Sequence, residues 1–340
     1  VGALRLAIDV MGGDQGPRVI IEGSARAVIE RPDLELALFG PRQRVVAELS
    51  RLPQPLAAAA SRLVVCDAPD TVSQDASAAW ALRSGDKTSM VHMLRYVAQG
   101  YAAAGVSAGN TGALVALARR ELGMLPGFSR PAISTAIPAR GGRRCYLLDL
   151  GANVDSPASR LVDFAMMGAA MAQCMDGINC PRVALLNVGA EATKGSATVR
   201  EADRLLRERA TTLSFAYQGY AEGGDIFQGD IDVMVCDGFV GNVVLKASEG
   251  LTRMLVERVQ MAFESRLCGR LAGLLAKPVL KRLKQELDPV RYNGASLLGL
   301  KRIVVKSHGG ARADGFYYAI QRALQEVEHD LPTQLAKRWA

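Results

Sequence analysis

Histidine is scarce in this 340-residue chain, at three residues, and aromatic side chains make up only 5% of it. Three histidines leave few bases for a hydrolase triad and few ligands for a metal centre. The six cysteines (Cys66, Cys145, Cys174, Cys180, Cys236 and Cys268) contain no CxxC pair. That spacing indicates neither a zinc site nor a disulfide framework, so a reducing, cytoplasmic setting is expected. No apolar run approaches ~18 residues, the length that reads as a membrane-spanning helix. Residues 1–5 lead straight into an expected strand without a signal-peptide pattern, and the missing initiator Met reads as a processed end or a cloning scar. Nucleotide signatures are missing too. No GxGxxG follows an expected strand, and the Gly189–Lys194 turn lacks the GxxxxGK[ST] spacing of a phosphate-binding loop.

What is present is aliphatic residues and glycine. Hydrophobic residues make up 49% of the chain, so the interior must rest on Leu, Val, Ile, Ala and Met. Thirty-four glycines gather at expected strand ends, which points to tight turns and close approach of backbone to a ligand. Charge is localised. Residues 253–306 carry twelve basic side chains against four acidic ones, a local +8 within a net charge of +7. Such a patch calls for an acidic protein or an anionic lipid surface. Few aromatics interleave with it, which disfavours nucleic acid.

Short β-branched runs alternate with helical periodicity. Strands are expected over 4–10, 36–40, 63–66, 105–108, 133–137, 145–150, 183–188, 232–236 and 303–306. Helices are expected over 19–29, 42–51, 90–98, 112–122, 159–174, 197–209 and 315–328. The alternation predicts an α/β fold with a largely parallel sheet covered on both faces. No repeat or linker divides the chain, so residues 1–340 read as one domain. Residues 241–287 break the rhythm: long, helical, rich in Leu, Lys and Arg, they read as a basic amphipathic arm.

Six polar, glycine-bearing turns follow expected strands. They are Asp9 with Met11-Gly12-Gly13-Asp14; Ser107-Ala108-Gly109-Asn110-Thr111-Gly112; Asp149-Leu150-Gly151-Ala152-Asn153; Asn187 through Lys194; Asp237-Gly238-Phe239-Val240-Gly241-Asn242; and Lys306-Ser307-His308-Gly309-Gly310. Turn geometry and capping account for any one of them. Six together are expected to meet along one edge of the sheet, where helix N-termini and free amides bind anions. Cys236, in an apolar strand, reads as core.

These turns also carry a resemblance. Asp9-Val10-Met11-Gly12-Gly13-Asp14 with Pro17, the Ser107–Ala113 and Asp149–Asn153 blocks, Asp237–Asn242, and Leu297-Leu298-Gly299 with Lys306-Ser307-His308-Gly309 are similar, in that order, to bacterial phosphate acyltransferases of the PlsX type. The chain departs from the family pattern at Gly16, Ala190, Ser296 and Arg302. The resemblance implies transfer of a fatty acyl group from acyl carrier protein to inorganic phosphate for phospholipid synthesis, with no metal or organic cofactor. It implies the three-layer α/β/α sandwich shared with isocitrate and isopropylmalate dehydrogenases and phosphotransacetylases. It also implies a homodimer, peripherally attached to the membrane, that hands acyl phosphate to a membrane glycerol-3-phosphate acyltransferase.

The chemistry asks little of acids and bases. Phosphate is largely dianionic near neutral pH, and a thiolate of pKa near ~8.5 leaves readily. The needs are positioning and stabilisation of the developing oxyanion. Phosphate is therefore assigned to the turns at Gly12, Gly13 and Asp14 and at Asn110, Thr111 and Gly112, with Lys194 and Lys306 as candidate cations. Asn242 and His308 are candidate donors to the thioester oxygen, with His308 equally readable as a turn residue. Asp9, Asp14 and Asp237 are expected to orient donors, and Asn153 and Gly238 to complete the substrate site. Arg83, Lys87 and Ser89 match the family and extend it. In the arm, Arg266, Arg270, Leu271, Leu275, Lys277, Lys281, Arg282 and Lys284 form a patch for carrier protein or anionic lipid, or else the solvated face of a dimer or core helix. A phosphotransacetylase acting on acyl-coenzyme A and a non-catalytic scaffold stay open as alternatives.

Overall fold

Alternate residues of the first strand face two different helical layers. In the computed structural model, which describes residues 4–191, 193–264 and 289–339, Leu6 and Ile8 pack with Ile20, Ile21, Phe316 and Ile320. Ala7, between them, belongs to the cluster holding Met90, Met93 and Leu114. A strand with both faces apolar is one buried on both sides, as the sequence pattern predicts. The helices so placed are α1 (Pro17–Glu30) and α9 (Ala313–Glu328) on one face, α4 (Ser89–Ala98) and α5 (Thr111–Leu122) on the other. Each buried Leu or Ile contributes roughly 1.5–3 kcal/mol.

Between these layers, the described strands are β1 (Leu4–Asp9), β2 (Leu34–Gly40), β3 (Leu63–Asp67), β4 (Ala104–Ser107), β5 (Ala132–Pro138), β6 (Arg144–Leu148), β7 (Arg182–Leu186), β8 (Ala216–Ala221), β9 (Val233–Val235), β10 (Ala295–Leu298) and β11 (Ile303–Lys306). They form one sheet in the order β3-β2-β1-β4-β11-β10-β5-β6-β9-β7-β8. From β3 to β11 the strands are parallel. Strand β10 is antiparallel to β11 and to β5, and β5 is antiparallel to β6. Beyond β6 the strands are again parallel to one another.

That arrangement corrects one expectation. Three successive reversals leave β6, β9 and β7 running opposite to β1, β4 and β11. The six polar turns therefore form two groups of three on opposite edges of the sheet. Turn composition carries no information about strand direction, so the sequence could not reveal this.

The remaining helices are α2 (Arg42–Leu49), α3 (Ala78–Ser84), α6 (Ala158–Asp176), α7 (Ala197–Glu208), α8 (Gly238–Glu264) and α10 (Leu331–Trp339). Local chemistry fixes several starts. Ser77, Thr88, Asn110 and Ser196 each accept a backbone N–H of the first turn, and Pro17 opens α1. Helix α8 replaces part of the expected arm. Its first turns lie on the body, with Val244 and Leu245 packed against the core, so the arm does not begin at residue 241. Arg266, Arg270, Leu271, Leu275, Lys277, Lys281, Arg282 and Lys284 lie outside the described residues.

Strand β10, missed in the sequence, carries Ser296 into the interior. Its hydroxyl hydrogen-bonds to the Glu326 carboxylate and accepts from Arg322 Nε at 3.2 Å, while Arg322 and Glu326 pair at 3.0 Å. All three are buried, which gives the serine at this family-divergent position a structural role. Removing one member of a buried ion pair strands the other. Glu326→Ala is therefore expected to cost about 3–5 kcal/mol in urea unfolding, and Arg322→Met combined with Glu326→Leu distinctly less. Equal losses in the single and double variants would contradict this account of the cluster.

Candidate active-site cleft

Strand β1 ends in a carboxylate that cannot reach water. Asp9 is 1% exposed and accepts from Ser89 Oγ at 2.6 Å, Ser107 Oγ at 2.7 Å and Met11 N at 3.3 Å. Burial raises its pKa against those donors. Ser107 in turn accepts from Gly109 N at 3.0 Å. Gly12 lies so close that a Cβ there would sit 2.4 Å from Gly109 N. Asp9, Ser89, Gly12 and Ser107 thus bind the ends of β1 and β4 together, behind the surface rather than on it.

One motif escapes the sequence reading here. Gly105-Val106-Ser107-Ala108-Gly109 has the GxSxG spacing of a hydrolase nucleophile elbow. Its serine is fully buried and bound to Asp9, so it is not an exposed nucleophile.

The third strand end of this edge carries Lys306. It is 9% exposed, and Nζ donates to Ala108 O at 3.3 Å and to Ser307 O. Among the described residues no carboxylate pairs with it. Burial and the nearby Lys246 lower its pKa to about 8, although Asp14 and Asp9 pull the other way. Asn293 shapes the turn that follows, donating to Ser307 Oγ at 2.9 Å and accepting from His308 N at 2.8 Å. Asp14 N donates to Gly309 O at 2.8 Å, tying the first turn to the last. His308 Nδ1 accepts from Gly310 N at 3.0 Å. Partial withdrawal from water, then Lys246, lowers the imidazole pKa. A neutral ring with Nδ1 accepting carries its proton on Nε2.

These groups open into a cleft of about 830 Å³. Thr111, Asn242, Lys306 and His308 line it, so the structure brings these four expected site residues together. Asn110 caps α5 through Ala113 N at 2.9 Å and braces the loop at Gln74 and Ala76. The first-turn amides of Thr111 and Gly112 have no protein acceptor among the described residues. Arg26, Lys246, Arg253, Lys306 and Arg312 face two carboxylates, Glu249 and Asp314, around the cleft, so its potential favours anions.

Other expected residues lie elsewhere. Asn153, Asp237 and Gly238 sit at the opposite edge around buried Asp149. That carboxylate accepts from the backbone N–H groups of Ile133, Leu150 and Asn153 at 2.7, 2.8 and 2.6 Å and from Asn153 Nδ2 at 3.0 Å. Asp237 caps α8 through Val240 N at 2.9 Å, and Gly238 N donates to Asn153 O at 2.8 Å. A Cβ on Gly241 would lie 1.9 Å from Asp149 O, so this knot seats the start of α8. Lys194 stands on an exposed turn after β7, paired with Glu191 at 2.8 Å and absent from the cleft lining. Arg83 and Lys87 are also exposed and outside that lining. Cys236 is buried, and burial pushes its thiol pKa well up.

Lys246 is one of the cleft cations that the sequence reading missed. The available signal was its spacing: four residues after Asn242, it falls on the same helix face. No motif carries Asn293, whose role comes from contacts made across the fold.

Among the described residues, no group of three or more His, Cys, Asp or Glu side chains is placed to hold a metal ion, and no helix is long and apolar enough to cross a membrane. The fold matches a phosphotransacetylase from Streptococcus pyogenes with a TM-score of 0.63 at 18% identity, covering 96% of this chain and 94% of that one. It also matches a 4-hydroxythreonine-4-phosphate dehydrogenase from Klebsiella pneumoniae with a TM-score of 0.54 at 14% identity, covering 96% and 100%. In sequence, residues 4–334 match the family described as "Fatty acid synthesis protein". The chain is 50% identical over 333 residues to the phosphate acyltransferase of Stutzerimonas stutzeri, covering 98% of this chain and 91% of that protein. With agreement over nearly its whole length, the chain belongs to the phosphate acyltransferase family of fatty acid synthesis proteins.

Proposed function

We propose that this cleft binds inorganic phosphate against Lys306 and the first turn of α5, and catalyses its attack on an acyl thioester presented by acyl carrier protein. The observation that carries the reading is Lys306: a buried cation with no carboxylate partner among the described residues, at a cleft with unused helix amides. A buried charge costs stability unless something compensates it, and a bound dianion does so.

A phosphate oxygen attacks the thioester carbonyl carbon, and the carbonyl electrons move onto oxygen. The tetrahedral intermediate collapses with cleavage of the C–S bond, sulfur leaving as thiolate and acyl phosphate remaining. Nε2–H of His308 and the Asn242 amide supply donors for the transient oxyanion. Lys306 holds phosphate for attack and offsets its charge. Acyl phosphate is a reactive mixed anhydride, which suits direct delivery to a membrane glycerol-3-phosphate acyltransferase.

The basic residues of segment 253–306 and the cations around the cleft suit an acidic carrier protein, chiefly by raising the association rate. The same segment supports peripheral attachment to anionic lipid at the cytoplasmic face. Helix α8 exposes Phe239, Val243, Leu251, Leu255 and Met261, an apolar surface suited to a second copy of the chain in a homodimer.

Four outcomes are expected. Palmitoyl carrier protein and phosphate give a product trapped by hydroxylamine as the hydroxamate; a yield independent of phosphate would contradict transacylation. Lys306→Met lowers kcat/KM for phosphate by about 10²–10³, whereas Lys194→Met stays within a few-fold. The folded lysine holds its proton less tightly than the unfolded one, so the charged form costs stability near neutral pH. That cost is relieved as pH rises from about 8. Lys306→Met should accordingly keep or raise Tm near neutral pH, and a lower Tm would assign Lys306 to the fold instead. Finally, kcat/KM for phosphate falls as pH rises through about 8, where the free enzyme loses this cation. The fall is absent in Lys306→Met.

A further inference from the structure

Phosphate fills little of the cleft. A water molecule takes ~30 Å³ of the liquid and phosphate a few times that, against a cleft of about 830 Å³. The rest of its floor is β5, where Ile133, Thr135 and Ile137 share one face by the two-residue period of a strand. Residues 133–138 all line the cleft except Ser134, and this stretch rises ~17 Å at ~3.4 Å per residue. Strand β5 is paired with β6 over residues 134–138 and with β10 over residues 132–134, and its backbone groups lie in the plane of the sheet rather than on its face. A ligand over it meets side chains and little else. Leu150 and Leu245 extend this apolar tract, and Phe227 faces the same cleft while 41% exposed.

We infer that the acyl chain of the donor lies along the Ile133–Ile137 face of β5 against Phe227, and that Phe227 helps set chain length. The inference rests on the transacylase reading above. An amide-rich pantetheine arm is a poor occupant of this tract, since Ile133, Ile137, Leu150, Leu245 and Phe227 offer it no polar atoms and the Thr135 hydroxyl already donates to Tyr292 O at 3.3 Å. A hydrocarbon chain needs none. It gains from covering an aromatic ring that the protein leaves partly in water.

The test is the rate of phosphate-dependent acyl phosphate formation from carrier-protein thioesters, butyryl through palmitoyl, with wild type, Phe227→Ala and Ile137→Trp. In wild type, kcat/KM should climb with chain length, by up to roughly fourfold per added methylene within the tract, the equivalent of ~0.8 kcal/mol. Phe227→Ala should lower the palmitoyl value by about tenfold and leave butyryl unchanged. Ile137→Trp should shift the optimum to shorter chains. Because Phe227 is partly exposed, its variant remains informative if Ile137→Trp fails to fold. Wild-type turnover with a profile that Phe227→Ala leaves unaltered would overturn the inference alone. No acyl phosphate at any chain length would overturn the transacylase reading and this inference with it.

Discussion

Three antiparallel pairings at the centre of the sheet, β11–β10, β10–β5 and β5–β6, set the geometry on which everything else depends. They reverse the strand direction between the two halves, so strand ends that look alike in sequence are sent to opposite edges. One edge, at the ends of β1, β4 and β11, gathers Asp9, Thr111, Lys306 and His308. The other gathers Asp149, Asn153 and Asp237. Helix α8 starts at the second edge, seated by Asp149 and Gly241, and its later turns bring Asn242, Leu245, Lys246 and Glu249 into the cleft shared with Lys306. The cleft is therefore built by both halves, with β5 as its floor.

Two buried aspartates do the structural work at these edges. Asp9 and Asp149 both have pKa values raised by burial, and each is surrounded by hydroxyl or amide donors. Their donors lie at strand ends, a helix start and the turns between them, and would otherwise go unsatisfied in the interior. Lys306 differs in kind, because it donates to two carbonyl oxygens and has no carboxylate pair among the described residues. The fold supplies two carbonyl acceptors that hold the amine in place, and under the proposed reading an anion completes its charge. Lys246 is near enough to lower the pKa of Lys306, and a bound dianion would offset that repulsion.

Much of this was legible in the sequence. Continuous apolar strands such as residues 4–9, alternating with amphipathic helices, gave the α/β class. Asn110 and Pro17 marked helix starts through chemistry that acts over three or four residues. The convergence of Thr111, Asn242, Lys306 and His308 followed from reading strand-end turns as ligand sites. What sequence hid was longer in range. The placement of Lys194 away from the cleft depends on the direction of β7, which its turn residues do not encode. Asn293 and the Ser296–Arg322–Glu326 cluster arise from contacts between segments far apart in the chain. Strand β8 carries an internal glycine and a register irregularity against β7, and β10 is short and lies between glycines of positive φ.

The central claim is that phosphate completes the charge of Lys306. A crystal structure of the protein soaked in phosphate tests it most directly. The account predicts phosphate density within hydrogen-bond reach of Lys306 Nζ and the amides of Thr111 and Gly112. Density at the Lys194 turn or the Asp149 edge, with the Lys306 site empty, would contradict it.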